Sequence, residues 1–402
     1  CTPAMRSKPK GAGGLRWNAD DDNGRKRYTD MRLKRLELRD FRNYAELALD
    51  VGAGVNILLG PNAQGKTNLL EAIHVLALAR SHRTASDREL IAWDRDEARL
   101  KGEVERRHGG LTLELELTAR GKKARVNGLE QRKLSDFVGR LNVVLFAPED
   151  LDIVKGAPGV RRRFMDMEIG QTHPGYLHDL LQYHRVLQQR NRFLKTADPS
   201  RVTSAELDVW NEQLAVYGVR MMRRRERFIR KIRPLAGEIH AGVTRSAETL
   251  TVEYKPSFGT AVQVAEEDDS SLIEQFMIML TQSREQEFRR GVTLVGPHRD
   301  DVQLLIDGRD AQSFGSQGQQ RTAALSLKLA ELELMREEIG EYPLLLLDDV
   351  LSELDPARQA QLVEAFRSRV QTFITTTSLD GLDLDRLEDA VVCHVRQGKL
   401  SI

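Results

Sequence analysis

Apolar and polar residues alternate in some parts of the chain and recur at helical spacing in others. Residues 31–59 predict two strands, the second ending in VNILLG, and a helix is predicted from about Lys66 to Ala79. Residues 98–148 predict a β-rich region, because LTLELELTA alternates strictly and LNVVLFAP has the composition of a buried strand. The pair Asn127-Gly128 within it is typical of a tight hairpin turn.

The pattern then becomes helical and basic over about 160–245, and the acidic stretch AEEDDSS that follows predicts a loop. From about residue 291 strands and helices return, as VTLVG, VQLLID, a helix after Arg321 and PLLLLDDV. This order predicts an α/β fold with a parallel-sheet core, a β-rich subdomain and a helical arm or lid. We expect residues 31–160 and 290–402 to form one head, and residues 161–289 to form the mainly helical arm.

The first thirty residues are polar and have no strand or helix period. We expect Met31 to be the natural start and residues 1–30 to be an upstream extension or a disordered arm. They carry seven Lys/Arg and four Asp/Glu, whereas the whole chain has a net charge of only +1. Global charge therefore argues neither for nor against a nucleic-acid partner, and only local patches can.

Composition narrows the class of protein. The 402 residues include two cysteines, which cannot form a disulfide framework, so a reducing, cytoplasmic setting is expected. No apolar run approaches about 18 residues, so no membrane span is expected. The histidines show no metal-ligand spacing, and no Ser/His/Asp or Cys/His set is visible.

The stretch GPNAQGKT at residues 60–67 matches the P-loop pattern in full, after an apolar strand and before a helix. Its glycines allow the backbone to fold around a β-phosphate, Lys66 would reach the β- and γ-phosphate oxygens, and Thr67 would bind Mg²⁺. ATP and Mg²⁺ are therefore the expected cofactors. The alternative is a plain glycine-rich turn. The residues expected to hold the nucleotide here are Gly60, Pro61, Asn62, Ala63, Gln64, Gly65, Lys66, Thr67 and Asn68.

The run LLLLDDV at residues 344–350 predicts a strand buried on both faces, with Asp348 at its carboxyl end, where α/β sheets place their ligands. We expect Asp348 to hold Mg²⁺ through water. Asp349 is the candidate to orient or deprotonate the attacking water, which makes it a catalytic candidate with Lys66 and Asp348. The alternative is that the two aspartates only cap the next helix.

A second anion-binding arrangement is predicted at residues 314–321, FGSQGQQR, which precede a helical pattern. A P-loop, this stretch, an acidic strand end and SELD at residues 352–355 form an ordered set that resembles the ABC-type ATPase head. That resemblance implies that Ser316 and Gly318 hold the γ-phosphate of ATP bound to a second copy, so that ATP joins a two-fold dimer. We call residues 314–321 the signature segment. Taken alone, it could be an ordinary glycine-containing helix cap.

Several strings together resemble the RecF family of bacterial recombination mediators, which are SMC-like members of the ABC-type ATPases. They are RLELRDFRNY, ARSHRT, GPHRDD, GSQGQQR and LLLLDDVLSELD, and the resemblance runs from Met31 almost to the C-terminus. It implies ATP-dependent dimerisation, binding to duplex DNA or duplex–single-strand junctions, action with RecO and RecR to load RecA at gaps, and slow hydrolysis. It also assigns Arg42, Asn43, Gln319 and Asp355 to the nucleotide site.

Two departures from the wider ABC pattern favour slow turnover. Asp349 stands where many relatives carry Glu, and FITTTS at residues 373–378 has threonines where a switch histidine often follows the strand. ABC-type ATPases also carry a Q-loop glutamine, and this chain has no clear counterpart. The stretch APED at residues 147–150 lies where one would be expected and has Glu149 or Asp150 instead.

DNA contacts are predicted on the helical arm. Five basic residues between 220 and 231 recur at three- and four-residue steps, which would make one positive stripe on a helix. The alternative is a solvated face paired with acids. Aromatic residues are only 5% of the chain and do not interleave with the stripe, so duplex backbone contact is favoured over base stacking. The stripe is Arg220, Arg223, Arg224, Arg227 and Lys231; further candidates are Arg161–Arg163, Arg185, Arg190, Arg192, Lys195, Arg80 and Arg83.

Three functions remain open from the sequence. The first is a DNA-repair ATPase switch, the second a nucleotide-binding subunit of a transporter, and the third an ATP clamp that does not hydrolyse. The inserted basic arm, and the interval of 282 residues from Lys66 to Asp348, favour the first over the second.

Overall fold

The computed structural model describes residues 31–198, 203–351 and 390–401, together with residues 354, 358, 359, 362, 363 and 369–379. Residues 1–30 and Asp355 lie outside this range, so the predictions made for them stay predictions.

A mainly parallel sheet forms the core of the fold. The strands β14, β3, β13, β12 and β8 are neighbours in that order and run parallel, and β15 pairs antiparallel with β14 at one edge. Residues of β12 and β13 are buried throughout, as a parallel sheet covered on both faces requires. The strands span β3 (Val55–Leu59), β8 (Val143–Phe146), β12 (Leu344–Asp348), β13 (Thr372–Thr376), β14 (Val391–Arg396) and β15 (Lys399–Ser401).

An antiparallel sheet packs against helix α1 (Lys66–Leu78) on the other side of the same apolar cluster. Its order is β2-β1-β4-β5-β6-β7. Asn127 and Gly128 both have positive φ, 50° and 77°, which confirms the predicted tight hairpin turn. The strands span β1 (Arg32–Phe41), β2 (Tyr44–Asp50), β4 (Glu97–Arg106), β5 (Gly109–Thr118), β6 (Gly121–Val126) and β7 (Leu129–Glu130).

Residues 31–59 therefore hold three strands and not the predicted two. The turn at Arg42 and Asn43 divides the first apolar run into a hairpin, in which Phe41 pairs with Tyr44. Arg42 has a φ of 52°, a left-handed conformation that reverses the chain. The hydrophobic pattern did not indicate this turn, because neither glycine nor proline is present in it.

The predicted helical region is confirmed. Its long helices pack around an apolar cluster that also includes residues of α9 (Gln317–Ile339). The loop predicted for the acidic stretch AEEDDSS is mostly wrong, because five of its seven residues are helical. Only Glu267 and Asp268 lie between two helices, and Asp268 caps the second. The helices span α2 (Leu151–Lys155), α3 (Pro158–Thr172), α4 (Pro174–Thr196), α5 (Ser204–Val243), α6 (Ala261–Glu266) and α7 (Asp269–Arg290). Among the described helices, none is long and apolar enough to cross a membrane.

A small third sheet joins the helical region to the signature segment. Its order is β11-β10-β9, and its strands are β9 (Leu250–Lys255), β10 (Asp301–Ile306) and β11 (Arg309–Asp310). Helix α8 (Ala311–Phe314) follows directly. The pairing of β9 with β10 links the predicted arm to the predicted head, and the division of the chain between them stays a prediction.

The segment VTLVG is not a strand, which contradicts its predicted role. The backbone amide of Thr293 donates to Asn191 at 2.7 Å and that of Leu294 to Glu287 at 2.8 Å, so side chains of α4 and α7 bind the amides that a sheet would use. Gly296, at the end of the segment, has a φ of 126°, which ends any extended run.

Candidate nucleotide-binding site

Residues 60–67 connect β3 to α1 as a tight loop around which other parts of the chain close. Gly65 has a φ of 113°, and a Cβ placed on it would lie 2.6 Å from Nδ2 of Asn43. A Cβ on Gly60 would lie 2.4 Å from the carbonyl oxygen of Val395. Both positions therefore require glycine, as a loop that wraps a phosphate with its backbone does.

Side chains from the β1–β2 turn hold this loop in place. The hydroxyl of Tyr44 donates to the carbonyl oxygen of Gly65 at 2.9 Å. The amide of Asn43 donates to the carbonyl oxygen of Gln64 at 3.2 Å and accepts from Asn68 at 2.8 Å. Asn43 thus lies beside the P-loop, as its assignment to the nucleotide site requires. Its contacts are to the P-loop and to Asn68, the residue that follows it.

Gln64 fixes the other side of the loop. Its side-chain oxygen accepts from the amide of Gln397 at 2.9 Å, and its carbonyl oxygen accepts from Gly398 at 3.0 Å. Pro61, Asn62 and Ala63 lie at the tip, where all three are exposed and Ala63 adopts a φ of 63°. The loop is therefore held at its base, and its tip is exposed to solvent.

Lys66, the first residue of α1, is buried and folds back over the loop. Its Nζ donates to the carbonyl oxygens of Gly60 at 2.5 Å and Pro61 at 2.8 Å. Burial lowers the pKa of Lys66, and the nearby carboxylates of Asp349 and Asp348 partly oppose that shift. A positive charge is therefore held beside the two acidic residues predicted to act with it.

Asp348, at the carboxyl end of β12, receives two hydroxyl groups. Thr67 donates to its Oδ1 at 2.9 Å, and Thr375 of β13 donates to the same atom at 2.8 Å. Asp348 is buried, so this polar contact replaces water on the carboxylate. The structure thus brings together the two predicted Mg²⁺ ligands, and their oxygen donors are the type that Mg²⁺ uses with nucleotide phosphates.

Asp349 follows in the left-handed region, with a φ of 53°. Its backbone amide donates to Oγ1 of Thr375 at 2.9 Å, so one threonine orients both aspartates. The left-handed turn contradicts neither role predicted for Asp349.

Arg42 contacts a buried carboxylate that the sequence analysis did not identify. Its guanidinium donates to Glu71 of α1 at 2.9 and 2.8 Å, and also to the carbonyl oxygen of Glu89 at 2.7 Å. Ser81 and Arg83 contact the same carboxylate at 2.5 and 3.3 Å. Burial opposes the charge of Glu71, but the bonds from Arg42 and Ser81 outweigh it and lower its pKa. Glu71 is the only acid within α1, which was the signal available in the sequence.

The signature segment begins helix α9 with a capping box. Ser316 Oγ accepts from the amide of Gln319 at 3.2 Å, while the side-chain oxygen of Gln319 accepts from the amide of Ser316 at 2.9 Å. Within the described residues, the amides of Gln317 and Gly318 have no hydrogen-bond partner. Ser316 and Gly318 are exposed, and no hydrogen bond between described residues links them to the P-loop of the same chain. A cap of this form fits both an ordinary helix start and a segment that binds the phosphate of a second copy.

Of the two acidic residues in the stretch 147–150, one has a structural role and the other is exposed at the surface. Asp150 accepts a hydrogen bond from the amide of Ala147 at 2.7 Å, and burial raises its pKa to about 6. It is therefore a structural group. Glu149 is exposed beside the end of β8, next to the strand that carries Asp348.

The structure changes the set of DNA candidates. Arg161 and Arg190 are buried, and they bind Asp301 at 2.6 Å and Glu287 at 2.7 Å, so they hold the fold together and were wrongly proposed for DNA. In the stripe, Arg223, Arg224 and Lys231 are ion-paired with Asp269, Asp179 and Glu338. Arg220 is the most exposed paired member, with 53% of its side chain accessible and Asp179 at 3.7 Å.

The string GPHRDD now has a structural role. Asp300 is fully buried and accepts hydrogen bonds from Arg225 at 3.0 Å, from the amide of Ser257 at 2.9 Å and from Tyr254. His298 lies 2.7 Å from the hydroxyl of Tyr183 and 3.0 Å from the carbonyl oxygen of Thr293. These contacts join α4, α5 and β9 beside the start of β10.

Comparisons with known proteins agree with this arrangement. Residues 32–383 match the family described as RecF/RecN/SMC N terminal domain. The chain is 51% identical over 373 residues to the DNA replication and repair protein RecF of Geobacillus kaustophilus, covering 92% of this chain and 99% of that one. It is 52% identical over 369 residues to the protein of the same name from Listeria welshimeri, with the same coverage.

Solved structures give the same result. The structure described as the recombination mediator protein RecF-ATPrS in the RecFOR pathway superposes with a TM-score of 0.85 at 35% identity, covering 92% of this chain and 98% of that one. The corresponding RecF-ATP structure gives a TM-score of 0.82 at 35% identity, with coverage of 92% and 99%. An Smc head domain from Pyrococcus furiosus has a TM-score of 0.52 at 14% identity, which is a likeness of fold alone. The predicted α/β ATPase head is therefore confirmed.

Proposed function

The chain belongs to the RecF family of ATPases, and from that premise we propose that it is an ATP-dependent DNA-binding protein of recombinational repair. In this proposal ATP joins two copies, the dimer binds duplex DNA or a gap junction, and slow hydrolysis releases it. Family membership places the chain outside the transporter subunits that the sequence left open.

The observation that carries the proposal is the hydrogen bond from Thr67 to Asp348. It joins the P-loop helix to the acidic end of β12, and Lys66 lies close enough to Asp348 and Asp349 for their charges to affect it. A nucleotide phosphate on the loop would meet the loop amides and Lys66 first. Mg²⁺, held by Thr67 and by Asp348 through water, would neutralise the phosphate charge when bound.

The proposal of two copies is supported by the amides of Gln317 and Gly318, which begin a helix at exposed residues and have no hydrogen-bond partner among the described residues. A helix N-terminus with unpaired amides favours negative charge. In the proposed dimer, Ser316, Gly318 and Gln319 close on the phosphate held by the other copy. Asp355 is assigned to the same interface by resemblance only.

Hydrolysis is proposed to be slow and to act as a timer. Asp349 is the candidate base, and the strand that follows in the sheet ends in threonines, none of which can carry a positive charge. Thr375 is committed to Asp348 and to the amide of Asp349. Hydrolysis stimulated weakly by DNA is part of the proposal.

The proposed partners follow from the family. RecF structures solved with ATP or an ATP analogue are described as belonging to the RecFOR pathway, and on that likeness we propose RecO and RecR as partners and RecA as the protein loaded at gaps. The DNA surface is proposed to include Arg220 and Arg227 of α5.

Sedimentation velocity of the full chain tests the central claim. With ATP and Mg²⁺ the wild-type chain should sediment as a dimer, and with ADP as a monomer. Gel shifts of duplex DNA should appear with ATP and weaken steeply as salt rises. Absence of a shift at low salt, with or without ATP, would count against the DNA function.

Phosphate release separates the timer from a clamp that does not hydrolyse. A timer requires measurable release that stops in the Asp349→Asn variant. If ATP induces dimers but no phosphate is released with or without DNA, the chain is a clamp.

A further inference from the structure

One carboxylate outside the signature segment contacts its side-chain amide. Nε2 of Gln319 donates to Oε1 of Glu248 at 3.0 Å, while the other end of the same amide accepts from the amide of Ser316 at 2.9 Å. A carboxylate can only accept, so Glu248 determines which end of the Gln319 amide is the donor. The oxygen is then left facing Ser316.

A buried histidine packs against Glu248. Nε2 of His240 lies 3.3 Å from Oε2 of Glu248, and Nδ1 of His240 lies 3.2 Å from the hydroxyl of Ser326 on α9. His240 is fully buried near the end of α5. The His240 ring approaches the carboxylate without forming a hydrogen bond to it, so the hydrogen bond from Gln319 is the contact that links Glu248 to the signature segment.

The result is an ordered capping box at the exposed N-terminus of α9, a helix that is otherwise largely buried. Gln319 occupies the amide of Ser316, so the groups of the first turn that can still bind an anion include the hydroxyl of Ser316 and the amides of Gln317 and Gly318. If the Gln319 side chain rotates away, the amide of Ser316 is released and the first turn loses part of its cap. Side-chain freedom would then have to be lost again on dimerisation.

We infer that Glu248 is a positioning residue, which holds Gln319 so that the signature segment is preformed for the phosphate carried by a second copy. This inference rests on the proposed ATP-joined dimer. It adds a residue that lies between α5 and β9, far from the sequence motifs of the nucleotide site.

The test uses the full chain and two measurements. Binding of a fluorescent ATP analogue reports on the P-loop of each copy, and sedimentation velocity across a concentration series with ATP and Mg²⁺ reports on dimerisation. Glu248→Ala should bind nucleotide as the wild type does, with a dimer dissociation constant raised at least about tenfold, since a hydrogen bond to a charged group is lost. Glu248→Gln should restore most of the loss, because its side-chain oxygen can still accept from Gln319.

Two controls separate positioning from general damage. Glu253→Ala removes a carboxylate of the adjacent strand that binds Lys255 at 2.8 Å, and it should dimerise as the wild type does. In a double-mutant cycle, Gln319→Ala should weaken dimerisation, and adding Glu248→Ala should cost little more. Additive effects of the two substitutions, or normal dimerisation of Glu248→Ala, would overturn the inference alone. A wild-type chain that remains monomeric with ATP would overturn the proposed function and the inference with it.

Discussion

The hydroxyl of Thr67 donates to Oδ1 of Asp348 at 2.9 Å, although 281 residues separate the two in the chain. β3 and β12 are not neighbours, since β13 lies between them. Thr375 of that intervening strand contributes the second hydroxyl to the same carboxylate oxygen. Helix α1 and strands β12 and β13 thus meet at one carboxylate oxygen, and their packing fixes the distance between the P-loop and the acidic strand end.

Replacement of Asp348 by asparagine should weaken nucleotide binding only when Mg²⁺ is present. Asparagine keeps the size of the side chain and can still accept from Thr67, but it loses the charge that orders the ion. We expect affinity for Mg²⁺-ATP to fall by about 10- to 100-fold, the range for loss of an outer-shell partner. Titration with and without Mg²⁺ measures this, and Asp50→Asn on the exposed sheet edge is the matched control. Equal losses in both conditions would contradict the assigned role.

Asp349→Asn should prolong the ATP-bound dimer. Asparagine tolerates the left-handed conformation found at this position, with its φ of 53°, so the fold should be kept. The amide cannot take a proton from water, so phosphate release should stop while dimerisation persists. Sedimentation after a fixed incubation with ATP should show more dimer than the wild type. If the variant releases phosphate at the wild-type rate, another group is the base.

Ser316→Arg and Lys66→Ala should fail in different ways. Arginine at the exposed helix start adds bulk where a second copy should close, so dimerisation is lost and ATP binding is retained. Lys66→Ala removes the buried charge beside the P-loop, so ATP binding itself is lost. Nucleotide titration and sedimentation on both variants check the contrast. A Ser316→Arg variant that dimerises normally would show that the segment is an ordinary helix cap.

Acid should destabilise the protein through His298. Burial lowers its pKa from 6.5 to about 4, and in its neutral form Nε2 donates to Thr293 while Nδ1 accepts from Tyr183. Below pH 6.5 the unfolded chain therefore takes up a proton that the folded chain does not, so stability falls as pH decreases towards 4. This residue alone should contribute a loss of about 2 kcal/mol between pH 7.5 and 5.

Urea denaturation of wild type and His298→Gln at the two pH values isolates this contribution. Glutamine can keep both hydrogen bonds without titrating, so its loss of stability should be smaller by that amount. Parallel pH profiles for the two chains would mean that His298 does not carry the effect.

Replacing Arg190 should lower the stability of the fold, whereas replacing Arg220 should weaken DNA binding. Arg190 and Glu287 are both fully buried and lie 2.7 Å apart, so Arg190→Ala leaves a buried charge and should cost about 3–5 kcal/mol of stability. Arg220 is 53% exposed, so Arg220→Ala should change stability by about 0.5 kcal/mol or less. The latter should instead weaken duplex binding and reduce its salt dependence by about one phosphate contact. Unchanged gel shifts would remove α5 from the DNA surface.

The sequence by itself determined the chemistry at the core of the fold. Local sequence patterns were enough to predict these elements. The P-loop pattern, the apolar run that ends at Asp348 and the alternation in the antiparallel sheet each specify local structure that is present in the fold. Local rules failed at Arg42, where a turn forms without glycine or proline, and at residues 292–296, whose amides bind side chains of distant helices.

Only the tertiary structure decided which basic side chains are buried in ion pairs and which stay exposed to solvent. In the sequence, Arg161, Arg190 and Arg223 cannot be told from Arg220, since all four lie in the basic helical region. In the fold, the first three form ion pairs with Asp301, Glu287 and Asp269. Glu71 and Glu248 gain their positions in the same way, from contacts with residues far along the chain. The local sequence around a charged residue does not reveal its ion-pair partner, because the packing of other helices and strands brings that partner into contact.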